Sequence, residues 1–518
     1  MSDTPKKSMR GGRKARQQAS QAAATAPASF GTASLKNPFP QMNLFSDDYI
    51  SAMHEKALDI LETMGIKMLL PEARQYLKSA GARVDDAAEM VFIGRELVEA
   101  ALVTAPRSIT LAGGSAHRDV TLELGRLVFQ PGAGAPYVTD RIRGRRPGTV
   151  QDFRELIQIT QYFDALHMLP PLVEMQDLAP AFRHYANMDA MLTLSDKVPH
   201  IFSRGTPQVE ESFEMLRIFR GMSEDTFLKT PCCYTIINTN SPRQLDIPMA
   251  QGLIDFAKNG QVSVVTPFTL MGAMAPITVA GAITLSHAEA LAGITLTQMV
   301  RAGAPVCYGT FTSNVDMKSG APAFGTPEHF QASIAAGQLA RKTGLPWRAA
   351  TGSAANLNDA QAANETQMGL WGCLLAGSTM IIHSAGWLEG GLTVGYEKLI
   401  TDMEVVNMIA CLCTERQETQ DDIGISALEE VGPGGHFFGC AHTMERYKDA
   451  FYEQLVGDLS NYGTWKEAGG RSVDERAPDI WQAIIKQDQR PEIDLSKAQA
   501  LSEYIDRQTQ AGGALPVS

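Results

Sequence analysis

No apolar run in this chain reaches the roughly 18–20 residues that cross a bilayer. The most apolar stretch, residues 372–382, is too short and is interrupted by Gly and Ser. Positive charge is also in short supply. The formal net charge is −12, which argues against broad nucleic-acid binding, because phosphate contacts need clustered Lys and Arg. Seven cysteines are scattered without a CxxC pair or disulfide-like spacing, which predicts a reducing, cytoplasmic setting. HExxH and H-x-H are missing, as are a Walker A sequence and a strand-bound GxGxxG. No resident metal and no bound nucleotide are therefore expected.

What is present is a long chain of ordinary apolar content, 518 residues at 44%, more than one small core can absorb. Residues 1–36 carry seven Lys/Arg against one Asp among many Ala, Ser and Gln. The pattern reads as a disordered, solvated basic tail, although its acid-poor, Arg-rich character slightly resembles a transit peptide. Residues 37–125 read as a helical module with a β-hairpin. Ser46 caps a helix with an acidic first turn, and "SITLAGG" and "VTLELGRLVF" alternate as paired strands do.

From 126 to 418 the pattern changes. Eight short apolar strands alternate with amphipathic helices: 127–130, 166–174, 200–204, 232–238, 262–268, 304–311, 347–353 and 379–386. Thr206-Pro207, Ser241-Pro242 and Thr326-Pro327 read as helix starts, and "TVQD" at 149–152 as a capping box. Eight β–α units in succession predict an α/β fold, a (β/α)8 TIM barrel. A helical extension, 419–518, follows.

In such a barrel the active site lies at the C-terminal strand ends. Those ends carry Gln130, Glu174, Arg204, Asn238, Asn240, Thr266, Thr312, Ser353, Asn356 and His383. The set is polar but poor in charge. Asp177, Asp316 and Glu389 lie in the following loops, and no two carboxylates face each other as a glycosidase requires. His200 opens its strand and is expected to point to the far end. Cys232-Cys233 reads as core packing. "PGAGAP" at 131–136 allows a close approach to the backbone, and a tight turn explains it equally well.

The densest block is "HSAGWLEGGLTVGYEKLITDMEVV", 383–406. An exposed Trp387 with the acids Glu389, Glu397, Asp402 and Glu404 near a barrel mouth would suit a cation; a packed, helix-capping loop is the alternative. Together with "EEVGPGGHFFGCAHT", "AGARVDD", "APRSITLAG", "SHAEALAGITLTQMVRAGAPVCYG" and "RGGRKAR", this block resembles the trimethylamine:corrinoid methyltransferase family, and the similarity runs over roughly 10–490.

The resemblance implies a cytoplasmic, homo-oligomeric enzyme. It would move a methyl group from an amine nitrogen to the Co(I) of a separate corrinoid protein, with no tightly bound cofactor of its own. Founding members carry an in-frame pyrrolysine; this chain has standard residues throughout, with the matching loop near Asn356–Leu357. That departure favours a glycine betaine methyltransferase-like branch and a quaternary amine substrate. A tertiary methylamine substrate, a lyase or hydrolase on the same scaffold, and a non-catalytic quaternary-amine binder are the alternatives. On this reading His383 and Glu389 are expected to act on the substrate. Glu174, Arg204, Asn238, Tyr308, Ser353, Asn356, Trp387 and His436 are expected to bind it, the last brought toward the mouth by the glycine turn of "GPGGH" to line the site or the corrinoid-docking surface, with a purely structural clasp as the alternative.

Overall fold

The computed structural model describes residues 35–415 and 418–517. Its centre is a set of short parallel strands: β1 (Arg126–Phe129), β2 (Met168–Leu169), β3 (Val198–Pro199), β4 (Tyr234–Ile237), β5 (Val262–Val265), β6 (Val306–Gly309), β7 (Trp347–Ala350) and β8 (Met380–Ile382). β4 pairs with β5, β5 with β6, β6 with β7, β7 with β8, and β8 with β1, Met380 lying opposite Val128. β2 pairs with β3. A parallel bridge joins His200 to Tyr234 on β4. Between β1 and β2 the His167 N–H donates to the Phe129 carbonyl at 2.9 Å. All eight strands therefore present their C-terminal ends on one side. The protein is an α/β fold whose strands are buried at nearly every residue, in keeping with their largely apolar sequences.

A helix follows each strand: α1 (Val150–Tyr162), α2 (Arg183–Leu194), α3 (Thr206–Arg220), α4 (Ile247–Lys258), α5 (Val279–Val300), α6 (Pro327–Thr343), α7 (Ala360–Leu375) and α8 (Tyr396–Leu412). Thr149 caps α1 by accepting from the Asp152 N–H, and Thr326 caps α6. Gly221 and Gly344 end α3 and α6 in the left-handed conformation. Ser241-Pro242 behaves otherwise than the sequence suggests: its peptide is cis, and α4 starts later, behind Asp246. β3 likewise ends before the expected "HIFSR" begins.

α5 is the one helix among the described residues long and apolar enough to cross a bilayer, contrary to the reading of the sequence; 78% of its apolar window is buried inside the protein. It is packed between neighbouring helices and the N-terminal helices Asp47–Asp59 and Arg95–Thr104. The hairpin strands Ser108–Leu111 and Val120–Glu123 pair as expected. After α8, two longer helices close against the body. α9 (Val473–Gln487), opened by a Ser472/Glu475 capping box, packs on α8 and α1, and α10 (Leu495–Gln510) packs on α3.

Candidate functional site

A cavity of about 360 Å³ opens at the C-terminal strand ends. His200 and Phe202 come from the turn after β3, Asn238 from the end of β4, Phe268 and Phe311 from just beyond β5 and β6, and Arg348 from β7 itself. His383, Trp387, Gly390 and Gly391 come from the segment after β8. Among the described residues, no Asp or Glu lines it.

The Trp387 ring sets one wall. It stacks on His383 with centroids 3.5 Å apart and planes 12° apart. Glycines make that position available. A Cβ on Gly132 would sit 2.3 Å from Trp387 Cδ1, and one on Gly391 would sit 2.9 Å from its Cη2. The glycine of "PGAGAP" thus makes room for the indole, so close approach is its role here. His383 itself adopts φ +55°, a left-handed conformation that costs a non-glycine residue energy and is commonly found at functional sites. Phe311 adds rings 5.5 Å from His383, 6.1 Å from Trp387 and 5.0 Å from Phe268.

Opposite charge is withheld from this site. Arg348 is buried; it donates to the Thr310 carbonyl at 3.0 Å and to His383 Nε2 at 3.4 Å, and its Nε has no partner. Burial pulls the guanidinium down to about 9, which leaves it charged at neutral pH. Burial, and then Arg348, hold His383 well below its ordinary value. The contact with Arg348 places the His383 proton on Nδ1, which has no partner. The Ile236 N–H donates to His200 Nε2 at 3.2 Å, so the His200 proton also lies on an unpartnered Nδ1; burial holds this imidazole at about 3. Trp387 Nε1 is buried without an acceptor too. Four buried N–H donors that lack an acceptor from the protein therefore belong to residues lining one cavity.

The structure brings together His383, Trp387 and Asn238 of the residues expected from sequence. Trp387 is buried rather than exposed. His200, expected at the far end, lines the cavity because its strand stops one residue earlier. The others lie elsewhere. Glu389 is held by Arg145 through two hydrogen bonds of 2.8 and 2.9 Å, which lower its carboxyl below the usual range. Glu174 pairs with Arg204 and Arg183. The Tyr308 hydroxyl meets His287 at 2.9 Å, on the helix side of β6. Ser353 donates to Glu365 at 2.7 Å, and Asn356 is exposed. His436 is exposed on the segment after α8, its ring 5.8 Å from that of Phe438.

The acids of the 383–406 block are structural. Asp402 accepts from the Gly386 N–H at 2.8 Å and pairs with Lys398, fixing the loop that carries Trp387. Glu397 accepts from Trp481 Nε1 at 3.0 Å, and Glu404 accepts from Tyr452 and three backbone N–H groups. Arg348, Phe202, Phe268 and Phe311 are cavity residues not expected from the sequence. The available signal for Arg348 was a lone arginine inside an otherwise apolar strand, "PWRAATG".

The chain matches the trimethylamine methyltransferase family over residues 9–513. It is 31% identical over 468 residues to the glycine betaine methyltransferase of Desulfitobacterium hafniense strain Y51, covering 90% of this chain and 97% of that one. It is 29% identical over 447 residues to the trimethylamine methyltransferase MttB of D. hafniense strain DSM 10664 / DCB-2, covering 85% and 89%. Among solved structures, the monomethylamine methyltransferase of Methanosarcina barkeri aligns at a TM-score of 0.45 and 8% identity, over 92% of this chain and 89% of that one. With the family match spanning nearly its whole length, this chain is a methyltransferase of the trimethylamine methyltransferase family.

Proposed function

We propose that this protein transfers a methyl group from a betaine, a quaternary ammonium bearing a carboxylate, to the Co(I) of a corrinoid protein. The observation that carries the reading is the set of four buried donors, Arg348 Nε, His383 Nδ1, His200 Nδ1 and Trp387 Nε1, beside aromatic faces. A buried donor left without an acceptor costs about 1–3 kcal/mol. A carboxylate satisfies several at once and neutralises Arg348. The trimethylammonium end then lies against Phe202, Phe268, Phe311 and Trp387, the aromatic environment that attracts quaternary cations. A simple trimethylammonium ion, the tertiary-amine alternative, would place a second positive charge beside Arg348 and leave the donors unmet.

The chemistry asks little more of the protein. The N–CH3 bond breaks with its electron pair staying on nitrogen, releasing a neutral tertiary amine, while the methyl carbon bonds to cobalt. Co(I) brings the nucleophile, as a substrate carried by its own protein. The cavity holds the zwitterion in one orientation, strips water from its cation and leaves the methyl facing the opening. His383 acts here as a fixed donor. The Arg145–Glu389 pair secures the turn before Gly390 and Gly391, a positioning role.

The same reading takes the eight strands as a closed (β/α)8 barrel over 126–418, flanked by the 37–125 module and the 419–518 extension. The cyclic run of parallel pairings and short bridges supports it. The test mixes the protein with Co(I) cobalamin and a panel of amines and follows methyl-Co(III) by absorbance. Methylation from a betaine, and weak or no transfer from trimethylamine or tetramethylammonium, is expected. Failure with every carboxylate-bearing quaternary amine would sink the proposal.

A further inference from the structure

One region has almost no core of its own. Of residues 418–462, Ala427, Cys440 and Val456 are the buried ones. Large apolar side chains stand in solvent along the rest, with Phe438 83% exposed, Phe451 88% and Leu459 82%. Exposed apolar surface on this scale marks an interaction site. The segment is also acidic, with nine Asp or Glu against two Lys or Arg, a net −7. It is tied to the body at its far end, where Glu404 accepts from Tyr452 and from the N–H groups of residues 455–457.

The rest of the chain contains a segment of opposite character. Residues 1–34, outside the described part, carry six Lys or Arg against one Asp, a net +5. Their exit point is close in topology. Leu35 and Lys36 pair with Leu127 and Arg126, the first residues of β1, and β1 neighbours β8. The chain leaving β8 returns along α8, whose 17 residues run about 25 Å from the cavity side toward the N-terminal strand ends. The acidic segment starts there, after Met408 and Leu412, both exposed. Thirty-four residues reach roughly 110 Å when extended, so length does not limit the contact.

We infer that the basic N-terminal segment, residues 1–34, docks on the 418–462 arm of its own chain. Lys and Arg side chains match the acidic charge, and they also lie well on exposed aromatic faces. The pairing explains two features that methyl transfer leaves unused: the basic tail, and the "EEVGPGGHFFGCAHT" stretch with its exposed phenylalanines.

The test compares hydrogen–deuterium exchange over 418–462 in the full chain and in a chain starting at Leu35. Removal of the segment is expected to speed exchange there about tenfold while leaving α5 and the strands unchanged. A synthetic peptide of residues 1–34 should restore protection, and about 0.5 M salt should abolish it. Arg13→Glu combined with Lys14→Glu in the full chain should act like the deletion without shortening the chain. Equal exchange in both chains would overturn the proposal. So would protection that rises with protein concentration to the same extent in both, because a second copy would then be the cover.

Discussion

Arg143 and Arg146 are drawn into the protein under one regime, and Arg348 under another. The first two meet carboxylates at every turn. Arg143 donates to Asp140 at 2.7 Å and Glu155 at 3.0 Å, and Arg146 donates to Asp140 at 2.8 Å and pairs with Asp152. The Tyr396 hydroxyl closes the set on Glu155 at 2.7 Å. Burial opposes the ionisation of Asp140, yet the N–H groups of Arg143 and Ile142 and the Arg143 guanidinium hold its carboxyl below the usual range. Arg348, more deeply buried, receives one carbonyl and one imidazole. Burying an unpaired charge costs several kcal/mol. Where this fold uses arginine as structure it supplies the counter-charge; at Arg348 it supplies none, and the carboxylate of the proposed betaine would provide it.

The sharpest way to break this contrast is Arg348→Met. It removes the guanidinium and the contact that fixes the His383 tautomer, at similar volume. Turnover of a betaine should fall about a thousandfold, as for loss of a buried charge-assisted partner. Transfer from tetramethylammonium, which has no carboxylate, should fall far less, so the ratio of the two rates is the measurement. An equal loss for both substrates would remove Arg348 from carboxylate recognition.

Asp140→Asn attacks the other arginines. It leaves Arg143 and Arg146 partly uncompensated and should cost about 3 kcal/mol of stability, read as a lower urea midpoint. The rate of the remaining folded enzyme should be unchanged. Third in size is Gly132→Ala. The added Cβ would lie 2.3 Å from Trp387, so the indole must tilt from its stack on His383. KM should rise about tenfold with kcat reduced less, the signature of a misplaced binding wall.

How far the sequence carried the reading depends on what each residue must do. The eight β–α units were legible because short apolar runs alternate with amphipathic helices of period 3.6, and caps such as Thr149 and Thr326 are local signals. His383 and Trp387 were legible as a dense polar-aromatic block after the last strand. Arg348 was not, because whether a strand arginine lines a cavity or meets a carboxylate is decided by tertiary contacts. Phe268 and Phe311 look like core phenylalanines, and their facing the cavity is decided by where each strand ends, to within one residue. Glu389 and Glu174 misled for the opposite reason: strand-end carboxylates look available, and only tertiary contact reveals Arg145 and Arg204 as their partners.

The smallest effect concerns pH, and it separates binding from stability. Burial holds His200 at about 3 and His383 well below its ordinary value, and Arg348 at about 9. None of the three changes charge between about pH 6 and pH 8, so betaine affinity should be flat across that range. Stability should not be flat below it. An unfolded histidine takes up a proton near its ordinary value of about 6.5, whereas the folded, buried ring does not. The unfolded state then binds more protons, and stability falls as the pH drops from about 6.5 toward the folded value, by up to about 1.4 kcal/mol per histidine for each pH unit. Urea midpoints at pH 7, 6 and 5 measure the slope, and His383→Gln should remove one histidine's share of it. An unchanged slope in that variant would show that His383 takes its proton in the folded state, and the neutral donor assigned to it would have to be given up.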